Sequence, residues 1–258
     1  NRLSIGVQAS DNNLLKLIGR RHNFQQAQRA LQDARNAGFD NVSLDLMYGL
    51  PSQSKSDWAD TLAKIVEMHP EHISCYGLKL EEGTPMWRDY RNSPLLPNDD
   101  EQADMYSYAA EMLERYGYKQ YEISNFCAKG FESKHNLKYW KVEDYVGLGP
   151  AAHSCVKSVR YAYKRDVNSY IDTFLKGNAN NILSEKVCIS EEEHYREKIM
   201  LGLRLSDGIS FDMLYRIADC KAADPLYLHR QYAQRGHGEW QRTGQTSKTV
   251  HGRRQAGL

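Results

Sequence analysis

The sequence predicts an α/β protein in which parallel strands alternate with helices. Short apolar runs with β-branched residues read as buried strands, and the segments between them carry apolar residues at helical three- and four-residue steps. The strand-to-strand repeat of roughly 30–40 residues is typical of βα units. Because right-handed crossovers place the helices on the faces of such a sheet, we expect functional residues at the carboxyl ends of the strands.

Each of the first five elements has its own pattern. The strands are the runs LSIGV, NVSLDLMY and HISCYGLKL, and the last two come after helices with one apolar face. In the first helix this face carries Phe24, Ala27 and Leu31, with Asn23 as a plausible N-cap and Gly38 as a stop. In chain order we predict a strand at 3–7, a helix at 24–37, a strand at 41–48, a helix at 55–68 and a strand at 72–80.

The alternation of strands and helices stops after Gly83-Thr84-Pro85, and we divide the chain into predicted regions at 1–95, 96–220 and 221–258. The middle region has no further strand–helix repeat and contains a loop-rich aromatic stretch that extends to residue 154. Within it we predict a helix at 99–116, a strand at 121–124, helices at 166–176 and 190–205, and a helical appendage that starts at 207–220.

Composition excludes several classes of protein. The 258 residues are 41% hydrophobic and 26% charged with a formal net charge of +1, which gives no whole-chain argument for nucleic acid. No apolar run approaches the roughly 20 residues that span a bilayer, so we do not expect an integral membrane protein. Five scattered cysteines indicate free thiols in a reducing cytoplasm: Cys75, Cys127, Cys155, Cys188 and Cys220.

The two ends of the chain are unusual. The first residues already read as a strand, from which we expect a fragment of a longer protein. From residue 221 the sequence turns basic and loses every helical or strand period. This tail could be a nucleic-acid arm, a disordered end, or out-of-frame sequence, and we favour the last because the pattern stops so abruptly. We assign the tail no function.

Three polar residues stand near the predicted carboxyl edge of the sheet. Gln8 closes the first strand, Arg20 follows it, and Asp45 lies within the second strand. An aspartate in an apolar strand is costly to bury unless its oxygens are satisfied. Asp45 could accept two ribose hydroxyls while Arg20 binds a carboxylate. An internal salt bridge between Arg20 and Asp45 is an equal alternative.

The stretch HNLKYW at 135–140 places a histidine beside two aromatic rings. If it forms a helical turn, His135 and Tyr139 are neighbours on one face. A neutral imidazole is a good axial ligand for haem iron, and the rings could pack on a porphyrin. From the residues alone, a surface histidine beside core rings is the favoured interpretation of this stretch. The rival iron ligands are His153, Cys127 and Cys155.

The glycine-rich loop Gly147-Leu148-Gly149-Pro150 is a weaker signal. Pro150 interrupts the dinucleotide-binding pattern and no helix clearly begins there. A turn is the favoured interpretation, with close approach of the backbone to a ligand as the alternative.

Several motifs together resemble one family, in order and over residues 1–220. These motifs are LSIGVQ, the spacing of Gln8, Arg20 and Asp45, DLMYGLP, EEGTP, YEISNF, HNLKYW and GLGPAAHS. Through them the chain is similar to the radical S-adenosylmethionine proteins called oxygen-independent coproporphyrinogen III oxidase-like, and within that family to the branch of haem chaperones.

The resemblance implies a fold and a set of ligands. The fold would be a partial (βα)6 TIM-like radical S-adenosylmethionine barrel, with its C-terminal half at 1–95, followed by a small α+β or helical C-terminal domain at 96–220. Gln8, Arg20 and Asp45 match positions that bind S-adenosylmethionine. The haem-binding motif HNxxYW corresponds to His135, Asn136, Tyr139 and Trp140, with His135 as the ligand of the haem iron.

A departure from the family pattern limits the expected chemistry. The family's CxxxCxxC motif, which holds a [4Fe–4S] cluster, is absent from this chain and would lie upstream of it. We therefore expect the cluster only in the intact protein. Without it the sulfonium of S-adenosylmethionine receives no electron, so we expect no radical catalysis by this chain alone.

The resemblance also implies a function. We expect a cytoplasmic haem chaperone that binds haem and delivers it to haem-requiring proteins, including respiratory enzymes at the membrane. The alternative is an oxygen-independent coproporphyrinogen III oxidase, which decarboxylates propionate side chains through a 5′-deoxyadenosyl radical. An unrelated βα-barrel metabolic enzyme is a third interpretation, which the ordered motifs disfavour.

Overall fold

The computed structural model describes residues 1–177 and 182–214 and the backbone of 249–250. The chain forms two compact units that divide after Glu132. The three strands predicted between residues 3 and 80 and the helices predicted at 24–37, 55–68 and 99–116 agree with the structure, so the α/β class inferred from the sequence holds in the first unit.

The first unit contains a five-stranded sheet with the strand order β1-β2-β3-β5-β4. The first three strands are parallel, as the βα repeats predict, and β5 runs antiparallel to both β3 and β4. The strands are β1 (Leu3–Gln8), β2 (Val42–Tyr48), β3 (His72–Gly77), β4 (Lys119–Glu122) and β5 (Asn125–Cys127).

The strand predicted at 121–124 is wrong, because a tight turn interrupts it. The structure has a hairpin in which β4 ends at Glu122 and β5 begins at Asn125. The carboxylate of Glu122 accepts the main-chain N–H of Ser124 at 2.9 Å and an N–H of the Asn125 side chain. This local bond competes with strand pairing and closes the turn.

Five helices accompany this sheet, and three of them begin with capping boxes. The N-caps Asn23, Ser54 and Asn98 each bind the third residue of their helix reciprocally. Two six-residue helices were not predicted from the sequence, because they are too short to show a helical period. The helices are α1 (Asn12–Leu17), α2 (Phe24–Asn36), α3 (Lys55–Glu67), α4 (Pro85–Tyr90) and α5 (Asp99–Arg115).

The sheet has one apolar and one polar face. Leu44, Leu46 and Ile73 are fully buried in the main core cluster, in which Trp58 of α3 donates its indole N–H to the carbonyl of Met105 at 2.9 Å. Alternate residues of the same strands point to the other face, where most are polar. Burial of the apolar face against the helices is the main source of stability in this unit.

The hairpin extends the first unit beyond the predicted region boundary at residue 95. Main-chain pairing joins β5 to β3, and α5 packs against α3, so residues 96–132 belong to the same compact unit as the parallel strands. The assignment of family regions to 1–95, 96–220 and 221–258 stays a prediction.

The second unit combines helices with an antiparallel sheet in the order β6-β7-β8. The helices predicted at 166–176 and 190–205 are confirmed, whereas the sheet was not predicted. A short pair joins β9 (Ile209–Ser210) to β10 (Thr249–Val250). The other elements are α6 (Lys134–Trp140), β6 (His153–Val156), β7 (Val159–Tyr163), α7 (Val167–Leu175), β8 (Leu183–Cys188) and α8 (Glu191–Gly202).

The predicted appendage at 207–220 is described only at its start. Its first residues form β9, and residues 211–214 are helical. The rest of it, and the tail at 221–258 apart from β10, lie outside the described residues. Within the part of the chain that the structure describes, no helix is long and apolar enough to cross a bilayer.

His72 makes the stability of the first unit depend on pH. This side chain is only 2% exposed. Burial, with a smaller contribution from Arg2, lowers its pKa from 6.5 to about 3. As the pH falls between these values, the unfolded chain binds a proton and the folded protein does not. We expect His72 to lower the free energy of unfolding by about 1.4 kcal/mol per pH unit over this range.

Urea denaturation at pH 7, 6 and 5 measures this slope. In His72→Asn the free energy of unfolding should fall less steeply as the pH decreases. The difference in slope should correspond to the uptake of about one proton on unfolding, or about 1.4 kcal/mol per pH unit. His69→Asn, at an exposed histidine of the same unit, should retain the wild-type slope. Equal slopes in the wild type and in His72→Asn would contradict the prediction.

Candidate functional site

The polar face of the sheet holds Asp45 at its centre. Gly6, Asp45 and Ser74 are paired in register across the three parallel strands. The carboxylate of Asp45 is half-buried and accepts hydrogen bonds from Ser4 Oγ at 2.7 Å and from Ser43 Oγ at 3.3 Å. Each oxygen of the carboxylate therefore has one hydroxyl partner and a remaining acceptor position.

Gln8 lies at the carboxyl end of β1 in an unusual backbone conformation. Its φ is +70°, and the pairing of β1 with β2 shifts register between Gly6 and Gln8. A Cβ added at Gly6 would stand 2.7 Å from Nε2 of Gln8, so the glycine makes room for this buried amide. Because Gly6 pairs with Asp45 on the neighbouring strand, the side-chain amide of Gln8 lies next to the position of Asp45 in the sheet.

Arg20 is exposed and follows α1. Gly19 has a φ of +73°, and the N–H of Arg20 donates to the carbonyl of Leu15 at 2.9 Å. Among the described residues there is no ion pair between Arg20 and Asp45. The alternative of an internal salt bridge is thus wrong, and Asp45 pairs with serine hydroxyls instead.

The sequence interpretation missed the partners of Asp45. Ser43 lies two residues before Asp45, and His72 pairs with Ser43 on the neighbouring strand. Tyr121 reaches the same histidine from the hairpin, with its hydroxyl 2.9 Å from Nε2. Strand alternation could have revealed Ser43, because residues at i and i+2 share a face. Only the sheet register identifies His72 and Tyr121.

The four cysteines that the structure describes do not fit a metal cluster. Cys75, Cys127 and Cys155 are buried, whereas Cys188 is exposed. Burial raises the pKa of Cys127 to about 12 and raises that of Cys75 further, so both thiols stay protonated at neutral pH. Within the described residues no group of three His, Cys, Asp or Glu side chains could hold a metal.

The stretch HNLKYW forms helix α6, capped by the buried Ser133. His135 is exposed and lies one turn before Tyr139, whose ring meets the imidazole edge-on with centroids 5.0 Å apart. The Tyr139 hydroxyl is 3.2 Å from Nε2 of His135. The conditional expectation that these two residues share a helical face is confirmed.

Other aromatic groups of the second unit support this helix. The ring of Tyr145 lies edge-on to Tyr139 at 4.8 Å, and the guanidinium of Arg204 lies 4.3 Å from the ring centre of Trp140. Asn136 is half-buried, and its main-chain N–H binds the Ser133 cap at 3.4 Å. The imidazole of His135 is thus accessible, and contacts within the unit hold the aromatic rings of the motif in place.

The rival iron ligands differ from His135 in accessibility. Cys127 and Cys155 are buried, with 1% and 8% of their surface exposed. His153 is exposed on β6 and lies 3.4 Å from a carboxylate oxygen of Glu185. Accessibility therefore excludes neither histidine but disfavours both thiols as ligands of a large planar group.

The loop Gly147–Pro150 is held by contacts within its own unit. The N–H of Gly147 donates to Ser154 Oγ at 3.0 Å, and that of Gly149 donates to the hydroxyl of Tyr170 at 3.1 Å. Gly149 has a φ of +107°, which only glycine adopts without strain. These contacts favour the turn interpretation over a contact with a ligand.

Comparison with known proteins identifies two family segments. Residues 1–65 match the model of the Radical SAM superfamily, and residues 189–216 match the HemN C-terminal domain. The chain is 37% identical over 245 residues to the "Heme chaperone HemW" of Lactococcus lactis, covering 90% of this chain and 64% of the relative. It is also 38% identical over 212 residues to the "Heme chaperone HemW" of Bacillus subtilis, and this match covers 81% of this chain and 55% of the relative.

A solved structure shares the fold. The "Coproporphyrinogen III oxidase (HemN) from Escherichia coli", described as a radical SAM enzyme, matches with a TM-score of 0.72 at 21% identity. The match covers 92% of this chain and 58% of the other. The chain thus spans about 55–64% of the length of the two relatives above. These matches confirm the predicted resemblance and the predicted fold of a partial radical S-adenosylmethionine barrel with a C-terminal domain.

Gly147 offers a test of how the loop before β6 is held. A Cβ at this position would lie 2.2 Å from the main-chain oxygen of His153, and a backbone atom cannot move aside cheaply. We expect Gly147→Ala to destabilise the second unit by about 1–3 kcal/mol. Hydrogen exchange of the β6 and β7 amides measures the loss.

Leu148→Ala is the matched control. Leu148 is 86% exposed, so its truncation should change the free energy of opening by no more than about 0.5 kcal/mol. An alanine at 147 that is tolerated as well as the one at 148 would contradict the geometry described for the loop.

Proposed function

We propose that the whole protein, of which this chain is a part, is a haem chaperone that binds haem and delivers it to haem-requiring proteins. The observation that carries this proposal is the exposed imidazole of His135 on α6, with the Tyr139 and Tyr145 rings behind it. The similarity to proteins named "Heme chaperone HemW" supports it. The recipients we propose include respiratory enzymes at the membrane, reached from the cytoplasm.

The proposed haem ligand is His135, with Asn136, Tyr139 and Trp140 as the rest of the motif. An exposed neutral imidazole fits an axial ligand of haem iron. Its Nε2 makes one hydrogen bond, at 3.2 Å to the Tyr139 hydroxyl, which an incoming iron could replace at the cost of a weak interaction. Such a site suits reversible binding and therefore transfer of the cargo.

We further propose that Gln8, Arg20 and Asp45 bind S-adenosylmethionine. The polar face supports this role, because Asp45 keeps acceptor positions on both oxygens and Gln8 presents an amide at the carboxyl end of β1. In the intact protein a [4Fe–4S] cluster bound elsewhere would supply electrons to the sulfonium. The CxxxCxxC motif that would hold that cluster is absent from this sequence, so we propose that this chain itself catalyses no radical step.

An oxygen-independent coproporphyrinogen III oxidase is the second candidate, since the same polar face could serve a radical enzyme. The HNLKYW motif favours the chaperone over this alternative. Anaerobic incubation of a full-length protein, reconstituted with its cluster, S-adenosylmethionine and coproporphyrinogen III, separates the two functions. Sustained decarboxylation of propionate side chains would overturn the chaperone proposal.

Titration of the purified chain with hemin tests the ligand. Loss of the axial imidazole should lower the affinity at least about tenfold in His135→Ala, equivalent to about 1.4 kcal/mol. The growth of the Soret band with hemin concentration measures this. His153→Ala is the matched control, because it removes another exposed histidine of the same unit.

The outcome of the hemin titration distinguishes the two histidines. Wild-type binding by His153→Ala together with weak binding by His135→Ala supports the assignment. If His135→Ala binds hemin as the wild type does, His135 is not the ligand. If the wild type gives no specific Soret band, the haem proposal fails for this chain.

A further inference from the structure

Four side chains form a continuous hydrogen-bonded chain across the polar face of the sheet. It runs from Tyr121 through His72 and Ser43 to Asp45. The Tyr121 hydroxyl lies 2.9 Å from Nε2 of His72, and Nδ1 of that ring lies 2.8 Å from Ser43 Oγ. The Ser43 hydroxyl donates to Oδ1 of Asp45 at 3.3 Å. His72 and Ser43 are only 2% and 3% exposed, so water does not replace these partners.

The number of available hydrogens fixes the donor and the acceptor of each hydrogen bond in this network. A carboxylate can only accept, so the single hydrogen of the Ser43 hydroxyl points to Asp45. Its bond to His72 then requires the ring to donate from Nδ1. Because burial, ahead of the positive charge of Arg2, lowers the pKa of His72 to about 3, the ring is neutral and Nε2 carries no hydrogen. Nε2 therefore accepts from the hydroxyl of Tyr121.

The arrangement fixes the orientation of the Asp45 carboxylate. Ser43 holds Oδ1, while Ser4 donates to Oδ2 at 2.7 Å from the adjacent strand. One acceptor position remains on each oxygen, and two neighbouring hydroxyl groups of a ligand could fill them together. A carboxylate held at both oxygens loses little rotational freedom when such a ligand binds.

We propose that His72 and Tyr121 are positioning residues that orient Asp45 to accept both hydroxyl groups of a ribose. This inference rests on the proposed assignment of Asp45 to S-adenosylmethionine. Neither residue touches the ligand. They act through Ser43, and they set how strongly the site distinguishes a ribose from a 2′-deoxyribose.

The probes are S-adenosylhomocysteine, which needs no cluster, and its 2′-deoxyribose analogue. Calorimetry on the full chain gives the dissociation constant of each. In the wild type the ribose ligand should bind about tenfold more tightly than its analogue, because the lost hydroxyl leaves a charged acceptor without its partner. Asp45→Asn tests the site itself and should remove most of the binding.

Two substitutions at His72 form a matched pair. The amide of His72→Asn can still donate near the position of Nδ1, so this variant should keep the ribose preference. The amide of His72→Gln lies near the position of Nε2 and leaves Ser43 without its donor. We expect His72→Gln to bind S-adenosylhomocysteine several-fold more weakly and to lose most of the preference for ribose.

Tyr121→Phe removes only the hydroxyl at the far end of the chain. In the wild type, nitrogen NMR should show His72 as the Nδ1–H tautomer, and Tyr121→Phe should populate the other tautomer. The same variant should reduce the ratio of the two dissociation constants. A merely structural role for Tyr121 would change the melting temperature without changing this ratio.

The possible failures are distinguishable. If the wild type does not bind S-adenosylhomocysteine, or Asp45→Asn binds it equally well, the assignment of the site fails and the positioning role fails with it. If Asp45→Asn loses binding while His72→Gln and Tyr121→Phe retain the wild-type ratio, only the positioning role is overturned. An Nε2–H tautomer in the wild type would also overturn it.

Discussion

The parallel register of β1, β2 and β3 is the constraint on which the first unit depends. It aligns Gly6 with Asp45 and Ser74, and Ser4 with Ser43 and His72. Since side chains in aligned positions point to the same face, each row collects groups that are far apart in sequence. A shift of one residue would bury these polar groups in the helix-packed core and expose the leucines of β2.

The polar face carries an energetic cost that the network of hydrogen bonds offsets. Desolvated hydroxyl, imidazole and carboxyl groups destabilise a fold when they lack partners. Here the serine hydroxyls, His72 and Tyr121 satisfy one another and Asp45, while Glu122 closes the hairpin that delivers Tyr121. The residues that satisfy the polar groups of this face are therefore the same ones that orient Asp45 in the proposed ligand site.

The second unit depends on local geometry instead of a parallel sheet. Helix α6 brings His135 and Tyr139 together because they are four residues apart, and Tyr145 supports Tyr139 from the following loop. The tight approach of Gly147 to His153 holds that loop against β6. The proposed haem ligand is thus presented on a short helix whose neighbours are fixed by close contacts.

The sequence alone determined the α/β class, the three parallel strands, the long helices and the helical neighbours in HNLKYW. These features follow from periodicity and spacing within about 20 residues, which a linear pattern displays. Tertiary structure decided the rest: the short helix before Arg20, the hairpin after Glu122, the antiparallel sheet, and the pairing of Asp45 with two serines instead of with Arg20. Tyr121 and His72 are 49 residues apart, and Ser4 and Asp45 are 41 apart. No local preference encodes such pairs, because they meet only after burial of the apolar faces has set the strand register.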